Sequence, residues 1–575
     1  MKRILAMLLA TMLMVSALPV SAEEQLTDGV YTASAQGNNG PVEVQVTVQD
    51  GKLADVTVLH SVETKGIGTA AFEILTEKMV EVQTPNVDVV TSATLSSVAL
   101  RLAVTDCLNQ AGGVKKLVAQ PVEESEPDYA GSTADFVVVG AGGAGIAAAI
   151  TAAERGLHVI LLEKSDIIGG TTVTAAVGVN AGSSPIQKTM TKDMFYQHCI
   201  DIGMGAAADG SLAEVSLDYA RAFADNGPAM IELLIDCGME LQTDETNMDN
   251  AGSHQLVSKE NGKFGEVLIE ALSKRLAATT ADVRTGHKAT ELVMKDGAVA
   301  GVKVTTKKGQ EYEISAQNIV LATGGYGTGN SVVSQYWPEA DGYTSTECVG
   351  GSGDGIVMAT QVGAIVSDID QVALRALAVG YSNLGGAVNI ANAPAAGAIV
   401  VNAEGRRFAN EKAAAAVLTK AIDEQTGKVC YVLLSEEMVN NSPAVADYIS
   451  KAALKKYDSI DSFAAAMKID AEALKETVAA YNQSVESGVD AEFGREGMIA
   501  FNDGAVYGAK AMPGKHICRG GLVTDGKAQV INEQGEVIEG LYAAGETTYH
   551  SNHPVSNAIV FGIVSANQVA EKLGK

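Results

Sequence analysis

The sequence predicts an α/β protein in which a Rossmann-like domain follows a small α+β domain. A buried strand at residues 135–139, the glycine-rich residues 140–145, an alanine-rich helix and a second strand at 158–162 form a βαβ unit. Upstream, an alternating strand pattern and an amphipathic helix occupy residues 27–113. With 47% hydrophobic residues, 60 glycines and a formal charge of −28, the chain is neither disordered nor a plausible nucleic-acid binder.

Residues 1–22 have the pattern of a secretory signal peptide. Lys2 and Arg3 precede an apolar run over residues 4–15, and small residues occupy the cleavage positions 20–22. The apolar run is shorter than the ~20 residues that a membrane-spanning helix needs, so an uncleaved anchor is the weaker alternative. No cysteine stands near the cleavage site to accept a lipid. We therefore expect an exported protein, at the cell surface, outside the cell or in the periplasm.

The small α+β domain, residues 27–113, is predicted to contain a half-buried hairpin. Valine alternates with polar residues through positions 42–48, and the Asp-Gly pair at 50–51 forms the turn. An amphipathic helix is expected to begin just after Thr94. Residues 114–132 include a polar, acidic stretch bracketed by prolines, which predicts a linker.

The six cysteines are spread singly along the chain, at Cys107, Cys199, Cys237, Cys348, Cys430 and Cys518. This spacing holds no pattern for zinc, iron–sulfur or c-type haem, so no metal site is expected. Disulfides are permitted outside the cytoplasm, but at this dispersion buried free thiols are favoured. Redox chemistry must then come from an organic cofactor.

The βαβ unit carries the spacing of a dinucleotide site. Gly140, Gly142 and Gly145 stand between the first strand and the helix, and Glu163 ends the second strand. Such glycines let a pyrophosphate approach the helix N-terminus, while the carboxylate accepts hydrogen bonds from ribose hydroxyls. The motif alone leaves open whether the ligand is NAD or FAD.

Six further segments resemble, in the same order, the FAD-contacting series of the fumarate reductase flavoprotein family: residues 163–164, 169–172, 322–326, 353–355, 544–546 and 556–558. The resemblance extends over nearly the whole chain after the signal and implies non-covalent FAD. The contacts that it implies are Gly140, Gly142, Gly143, Ala144, Gly145, Glu163, Lys164, Gly170, Thr171, Thr172, Thr323, Gly324, Gly325, Asp354, Gly545, Glu546, Asn557, Ala558 and Ile559.

The same resemblance implies how the larger part of the chain is divided. A capping domain, residues 381–504, is expected as an α+β insertion that closes over substrate. It separates two parts of the FAD-binding domain, residues 133–380 and 505–575.

The N-terminal domain resembles the FMN-binding domain, in which a flavin transferase attaches FMN through its phosphate to a threonine. Residues 28–32, 63–68 and 88–94 match its pattern, and Thr94 is then the attachment residue. A hydroxyl at a helix N-terminus places the phosphodiester where the helix dipole favours an anion. Ser92 departs from the pattern, which usually has glycine there. The alternative is that Thr94 only caps the helix.

The positions that hold substrate in fumarate reductase differ in this chain. The counterparts of its Thr-Glu-x-x-Arg clamp are Ile390, Ala391 and Pro394, and a second carboxylate-binding arginine is replaced by His553. The arginine that protonates substrate falls at about Ala415. At roughly 1.5–3 kcal/mol per charge-assisted hydrogen bond, losing two anchors would cost on the order of 3–6 kcal/mol, so fumarate is disfavoured.

A different set of side chains is available around the flavin motifs. Arg375 falls about where the family carries a substrate-binding histidine. His516, Tyr549, His550 and His553 cluster around the motifs that line the flavin cavity in that family. Arg375 is the candidate anchor for an anionic group or a polarised oxygen, and a histidine or tyrosine is the candidate proton donor. The alternative for Arg375 is a structural ion pair with the acidic stretch nearby, and for the histidines a structural role.

Two flavins in one exported chain predict a terminal reductase of anaerobic respiration. A membrane or extracellular donor would reduce FMN, and electrons would pass to FAD and then as hydride to a small organic acceptor. That acceptor is not a C4-dicarboxylate; an activated alkene such as an enone or enoate, or a sulfoxide, is expected. The alternatives are a ketosteroid-type flavin dehydrogenase and a flavin electron carrier without catalysis.

Overall fold

The computed structural model describes residues 25–117, 127–176, 178–204, 213–243, 252–257, 264–380, 387–450, 453–549 and 553–575. The predicted signal peptide and most of the acidic linker lie outside these ranges. The chain divides into two units, residues 1–64 with 68–126, and residues 65–67 with 127–575. Within the described ranges, every helix is too short or too polar to cross a lipid bilayer.

The N-terminal unit contains β1 (Gly29–Gln36), β2 (Pro41–Gln49), β3 (Lys52–His60), α1 (Gly68–Val82), α2 (Thr94–Gln110) and a 3₁₀ turn (Val114–Lys116). Its three strands form an antiparallel sheet in chain order. The four valines of β2 are buried, which confirms the alternating pattern. Asp50 and Gly51 both have positive φ, as the tight turn of a hairpin requires. Helix α2 begins at Thr94, as predicted.

Ser92 has a φ of 75°, in the left-handed region that glycine adopts without strain. This backbone conformation explains why glycine is the usual residue at this position of the FMN-binding pattern. We expect Ser92→Gly to stabilise the N-terminal unit by up to about 1 kcal/mol. Slower hydrogen exchange of the α2 amides in the full chain would report the gain. Ser92→Ala removes the hydroxyl but keeps the strain, so a gain of similar size in that variant would contradict this explanation.

The larger unit begins with β4 (Ser132–Thr133), β5 (Phe136–Val139), α3 (Gly143–Glu154), β6 (Val159–Glu163), a 3₁₀ turn (Gly170–Thr174), β7 (Val179–Asn180), α4 (Lys192–Asp201), α5 (Ala213–Asp236), β8 (Leu241–Thr243), β9 (Ser253–Leu256), α6 (Phe264–Ala277), β10 (Asp282–Thr285), β11 (His287–Lys295), β12 (Ala298–Thr306), β13 (Glu311–Ser315) and β14 (Ile319–Leu321). The predicted βαβ unit is confirmed, since β5 and β6 pair in parallel on either side of α3.

It continues with α7 (Asn330–Tyr336), a 3₁₀ turn (Pro338–Ala340), β15 (Thr344–Ser345), α8 (Asp354–Thr360), β16 (Val366–Ser367), β17 (Val372–Gly380), β18 (Ala387–Asn389), β19 (Ile399–Val401), α9 (Ala415–Asp423), a 3₁₀ turn (Thr426–Lys428), β20 (Cys430–Ser435), α10 (Glu436–Asn440), α11 (Pro443–Ser450), β21 (Lys455–Tyr457), α12 (Ile460–Met467), α13 (Ala471–Ser487), β22 (Val506–Cys518), β23 (Gly521–Leu522), β24 (Gln529–Ile531), β25 (Val537–Ala543), a 3₁₀ turn (Gly545–Thr547) and α14 (Pro554–Lys572).

A six-stranded sheet in the order β10-β6-β5-β14-β25-β24 forms the centre of the larger unit. Its strands pair in parallel except at the β24–β25 edge. Helices α3 and α14 pack against one another within one buried cluster, and the opposite side of the sheet faces a second cluster. Because parallel strands point the same way, their carboxyl ends and the loops that follow them form one crevice, where ligands bind in such folds.

The inserted domain has a hydrophobic core of its own, centred on β20 and α9 to α13. Its sheet has the order β18-β17-β22-β20-β19, with β15 and β21 also paired to β22. Two strands of this sheet, β17 and β22, lie outside the predicted insertion of residues 381–504. The alanine-rich composition of residues 381–504 indicates the helices of the insertion. It does not indicate that the strands β17 and β22 on either side belong to the same sheet.

All six cysteines are free thiols in the structure. Cys107, Cys199, Cys430 and Cys518 are buried, and the other two are half-buried. The expectation of unpaired thiols is confirmed.

Candidate active site

The first turn of α3 forms the cradle of a dinucleotide site. A Cβ on Gly145 would overlap the carbonyl oxygen of Gly140, so this glycine is required for the helix to pack against the preceding strand. A Cβ on Gly142 would have no neighbour closer than 4.0 Å. Gly142 is also the N-cap of α3 and contributes no side-chain cap. The helix N-terminus is thus open to an anion such as a pyrophosphate.

Glu163 is held at the end of β6, beside this cradle. One of its carboxylate oxygens accepts a hydrogen bond of 2.9 Å from the backbone N–H of Ala141. The other accepts from the backbone N–H of Ser165, also at 2.9 Å. These bonds fix the carboxylate where a ribose hydroxyl could donate to it.

The predicted cofactor contacts come together from separate parts of the chain. Thr172 Oγ1 accepts from the Gly143 N–H at 3.2 Å, which ties the 169–174 turn to the cradle. Lys164 forms an ion pair of 2.5 Å with Asp354 at the start of α8. The hydroxyl oxygens of Thr323 and Thr547 lie 3.3 Å apart, which joins the end of β14 to the turn that contains Glu546.

The residues at this crevice fit FAD. Asn557 is fully buried and donates to the Tyr219 hydroxyl at 2.7 Å, but its Oδ1 atom has no hydrogen-bond partner among the residues that the structure describes. A buried acceptor without a partner costs about 1–3 kcal/mol, and a ligand donor would satisfy it. Gly324 has a φ of 73°, and no atom lies within 4 Å of the Cβ that it lacks. Open backbone and an unsatisfied acceptor in the predicted motifs match a bound flavin nucleotide.

Arg375 and His516 lie on paired strands. Arg375 is opposite Gly514 in the β17–β22 ladder. His516 is the extra residue of a β-bulge, because Ala373 pairs with Ile517 and Leu374 pairs with Lys515. Such bulges commonly turn a side chain toward a functional site. The structure therefore brings together two of the predicted substrate residues through a feature that no sequence pattern revealed.

His516 is a neutral imidazole at physiological pH. Its Nδ1 atom lies 2.6 Å from Thr346 Oγ1, which orients the ring. Burial and the positive charge of Arg375 lower the pKa of His516 to about 4. At pH 7 the His516 ring is therefore uncharged. It can donate or accept a hydrogen bond, but it does not hold the second proton of an imidazolium.

Arg375 is a half-buried cation without a counter-ion among the described residues. Its hydrogen bond within the protein runs from Nη1 to the Leu374 carbonyl oxygen, at 3.4 Å. In the parts of the chain that the structure describes, no carboxylate lies within ion-pair distance of it, so the alternative of a pair with the acidic residues 368–370 is wrong. Burial, and secondarily Arg519, lower its pKa from the usual arginine value. A buried cation of this kind is a ready anchor for an anionic or carbonyl oxygen.

The other predicted catalytic residues have different surroundings. Tyr549 is fully buried, its hydroxyl lies 3.0 Å from Ser216 Oγ on α5, and burial raises its pKa to about 12. This enclosure corrects the prediction that Tyr549 offers a proton to substrate. His553 Nε2 lies 3.3 Å from His198 Nε2 on α4, and burial together with His198 lowers the pKa of His553 to about 4. His550 lies outside the described residues.

One cluster near the flavin motifs was missed from sequence. Glu347, Cys518 and Glu546 place a carboxylate oxygen, a thiol sulfur and a second carboxylate oxygen within 4.8 Å of one another. Glu546 was expected only as a cofactor contact. Glu347 and Cys518 are far apart in the chain and carry no motif of their own, so the sequence offered no signal that links them.

The loop between β18 and β19 holds the positions of the missing carboxylate clamp. Its backbone is fixed by Arg495, whose guanidinium donates to the carbonyl oxygens of Pro394 at 2.9 Å and Ala398 at 2.7 Å. Arg495 also pairs with Glu411 at 3.0 Å. Ala415 is the first residue of α9 and has no side chain that could donate a proton. The loop thus retains a defined shape but offers no charged group from its clamp positions.

Comparison with known proteins supplies independent findings. Residues 135–558 match the FAD binding domain family, and residues 37–109 match the FMN-binding domain family. A urocanate reductase from Eggerthella lenta is 31% identical over 574 residues, which cover 94% of this chain and 92% of that protein. An NADH:fumarate oxidoreductase from Klebsiella pneumoniae is 28% identical over 95% of this chain, which spans 58% of the length of that relative. The solved open conformation of a flavocytochrome c3 fumarate reductase aligns with a TM-score of 0.69 and 26% identity, over 79% of this chain and 84% of that one.

Proposed function

We propose that this chain, which belongs to the FAD binding domain family and also carries an FMN-binding domain, is a two-flavin reductase acting on an activated alkene. The acceptor is a carbon–carbon double bond conjugated to a single carboxylate or carbonyl group. When bound, FMN would take electrons from a membrane or extracellular donor and FAD would receive them from FMN. The signal-peptide pattern of residues 1–22 supports action outside the cytoplasm, in anaerobic respiration.

The observation that carries this proposal is the unpaired Arg375 beside the neutral His516. One cation that lacks a counter-ion within the described part of the chain suits one negatively charged or carbonyl oxygen of a substrate. The clamp positions offer only Ile390, Ala391 and Pro394 for a second carboxylate. Two separate anchors for a C4-dicarboxylate are therefore absent from the positions at which the family carries them, which disfavours fumarate.

The protein residues have defined parts in such a reduction. Bound FAD supplies the hydride. Arg375 holds and polarises the oxygen that is conjugated to the double bond, so that negative charge develops against a fixed cation. His516, oriented by Thr346, is placed to hydrogen-bond the same group. The proton that must accompany the hydride does not come from imidazolium at position 516, because the pKa of His516 is about 4.

The relatives agree with this substrate class. One relative, aligned over 94% of this chain and 92% of its own length, is named as a urocanate reductase. Two others are named as an NADH:fumarate oxidoreductase and an NADH:acrylate oxidoreductase. Each of those names refers to reduction of an unsaturated acid. We extend to this chain only the chemistry that these names share, the reduction of an activated double bond. A C4-dicarboxylate is disfavoured because the clamp positions of this chain carry no charged side chain.

Anaerobic reoxidation of a reduced viologen dye by the flavin-loaded protein tests the proposal. The panel contains fumarate, acrylate, urocanate, aryl-enoates, enones and sulfoxides. We expect turnover with singly anchored enoates or enones and little with fumarate. Turnover with sulfoxides alone would overturn the alkene assignment. No turnover at all, with both flavins reducible, would identify a flavin electron carrier instead.

Covalent FMN at Thr94 is a separate part of the proposal. Thr94 is the first residue of α2, where free backbone N–H groups favour a phosphate. We expect co-expression with a flavin transferase to raise the intact mass by one FMN, and Thr94→Ala to abolish that increase. An increase that survives in Thr94→Ala would place the attachment elsewhere.

A further inference from the structure

We propose that Glu347 and Glu546 share a single proton, and that this proton keeps Glu546 in the position from which it serves the FAD site. Glu347 is then a positioning residue that acts through Glu546. The inference rests on FAD binding and not on the acceptor proposed above, so failure of the acceptor panel would leave it standing.

Cys518, at the end of β22, joins the two carboxyl groups. Its thiol donates to Glu347 Oε1 at 3.0 Å, and its backbone N–H donates to Glu546 Oε1 at 2.7 Å. The oxygen and sulfur atoms of the three side chains lie within 4.8 Å of one another. A carboxyl oxygen of Glu347 therefore lies within 4.8 Å of a carboxyl oxygen of Glu546, close enough for the charge of one group to act on the other. A hydrogen bond between two carboxyl oxygens requires that one of them carry the proton.

Neither carboxyl group of the pair forms an ion pair with a described residue, and the charge of Lys515 offsets the burial of Glu347 only in part. Glu347 is only 1% exposed, and within the described ranges neither carboxylate has an ion-pair partner. Lys515 is the nearest base along β22, but its Nζ donates to the Tyr343 carbonyl oxygen at 2.9 Å. Repulsion between adjacent carboxylates, one buried and one half-buried, disfavours ionisation of both at neutral pH. Burial raises the pKa of Glu347 to about 7, and burial with the neighbouring Glu347 holds the pKa of Glu546 well above its usual range.

The thiol and phenol groups around the pair stay neutral over this range. Burial raises the pKa of Cys518, of the adjacent Cys348 and of Tyr326, which lies after β14. The Tyr326 hydroxyl donates to the Ile369 carbonyl oxygen and is thus occupied elsewhere. The proton shared by the two glutamates is therefore the one that titrates first near neutral pH.

The backbone is shaped to admit the Glu347 carboxylate. Its Oε2 accepts from the Gly327 N–H at 3.0 Å. A Cβ on Gly325 would lie 3.0 Å from Glu347 Oε1, and a Cβ on Gly327 would lie 2.7 Å from the same atom. Gly325 is itself a predicted FAD contact, so the carboxyl pair lies directly behind the backbone expected to face the flavin.

Loss of the shared proton should weaken FAD binding. Two negative charges would then be adjacent, and the half-buried Glu546 is the one free to move toward solvent. FAD brings a negative pyrophosphate of its own, which adds to the unfavourable charge. One linked proton raises the FAD dissociation constant by at most about tenfold per pH unit above the titration of the pair.

Calorimetric titration of the apoprotein with FAD, from about pH 6 to about pH 9, tests this inference. The wild type is expected to bind FAD progressively less tightly as pH rises. Glu347→Gln keeps the shape and the neutral charge of the protonated acid, so its dissociation constant should be nearly independent of pH. Glu163→Gln is the matched control: it removes the ribose carboxylate and should weaken binding at every pH while keeping the wild-type slope.

Two results would overturn the inference. One is a Glu347→Gln variant that retains the wild-type slope, and the other is a wild type without any slope. If Glu347→Gln does not fold, the infrared spectrum of the wild-type apoprotein decides. The carbonyl stretch of a protonated carboxylic acid should be present at neutral pH and disappear at alkaline pH, and its absence at neutral pH would refute the shared proton.

Discussion

Replacing Arg375 with methionine is expected to lower kcat/KM for the preferred alkene by about 10- to 100-fold, since a charge-assisted hydrogen bond contributes roughly 1.5–3 kcal/mol. Methionine keeps much of the volume and removes the charge. Because Arg375 has no counter-ion in the described protein, its loss leaves no buried carboxylate unpaired, and the fold should persist. Most of the effect should appear as a higher KM if Arg375 mainly holds substrate, and in kcat if it mainly stabilises developing charge.

Steady-state viologen oxidation measures this effect, with the FAD absorption spectrum as a check on cofactor loading. The control is Arg406→Met, which removes an exposed arginine of the inserted domain that pairs with Glu476 at 2.6 Å. It should leave kcat/KM unchanged. An unchanged kcat/KM in Arg375→Met, with normal FAD content, would remove Arg375 from the substrate site.

Arg495→Met is expected to destabilise the inserted domain by about 3–5 kcal/mol, the usual loss when one partner of a buried charge network is removed. Arg495 and Glu411 are both fully buried, and Arg407 joins them by pairing with Glu411 at 2.8 Å and with Asp490 at 2.9 Å. Without Arg495, one arginine remains for two buried carboxylates, and two backbone carbonyl oxygens lose their donor.

Urea unfolding of the FAD-loaded chain measures this loss. Arg406→Met serves again as control, because an exposed pair contributes only about 0–1 kcal/mol. Adding Glu411→Gln to Arg495→Met should recover part of the stability by removing the excess negative charge. A loss below about 1 kcal/mol in Arg495→Met would mean that water reaches the network and that the side chain is not the support of the 390–398 loop.

The parts of the fold that follow local patterns could be predicted from the sequence. The βαβ unit around Gly140 and Gly145, the hairpin turn at 50–51 and the start of α2 at Thr94 each depend on residues close together in the chain. The boundaries of the inserted domain could not, because β17 and β22 are strands whose partners lie far away in sequence.

In the candidate site, too, the sequence predicts the individual residues but not the contacts between distant segments. Arg375 and His516 were found through motif positions, but their closeness depends on a bulge that only the register of β22 reveals. Tyr549 has a polar side chain in the right motif, yet packing encloses it against α5. The pairing of Glu347 with Glu546 unites two distant segments by tertiary structure alone.

Strand β22 is one continuous strand that pairs with different partners along its two halves. Its first half, residues 506–511, is hydrogen-bonded to β20 in the core of the inserted domain, and its second half, residues 512–518, is bonded to β17 and carries His516 and Cys518. A paired strand resists stretching but yields to twisting, so a rotation of the inserted domain applies torque along β22. A change in the twist of β22 at the inserted domain would therefore also reorient His516 and Cys518, which the same strand carries.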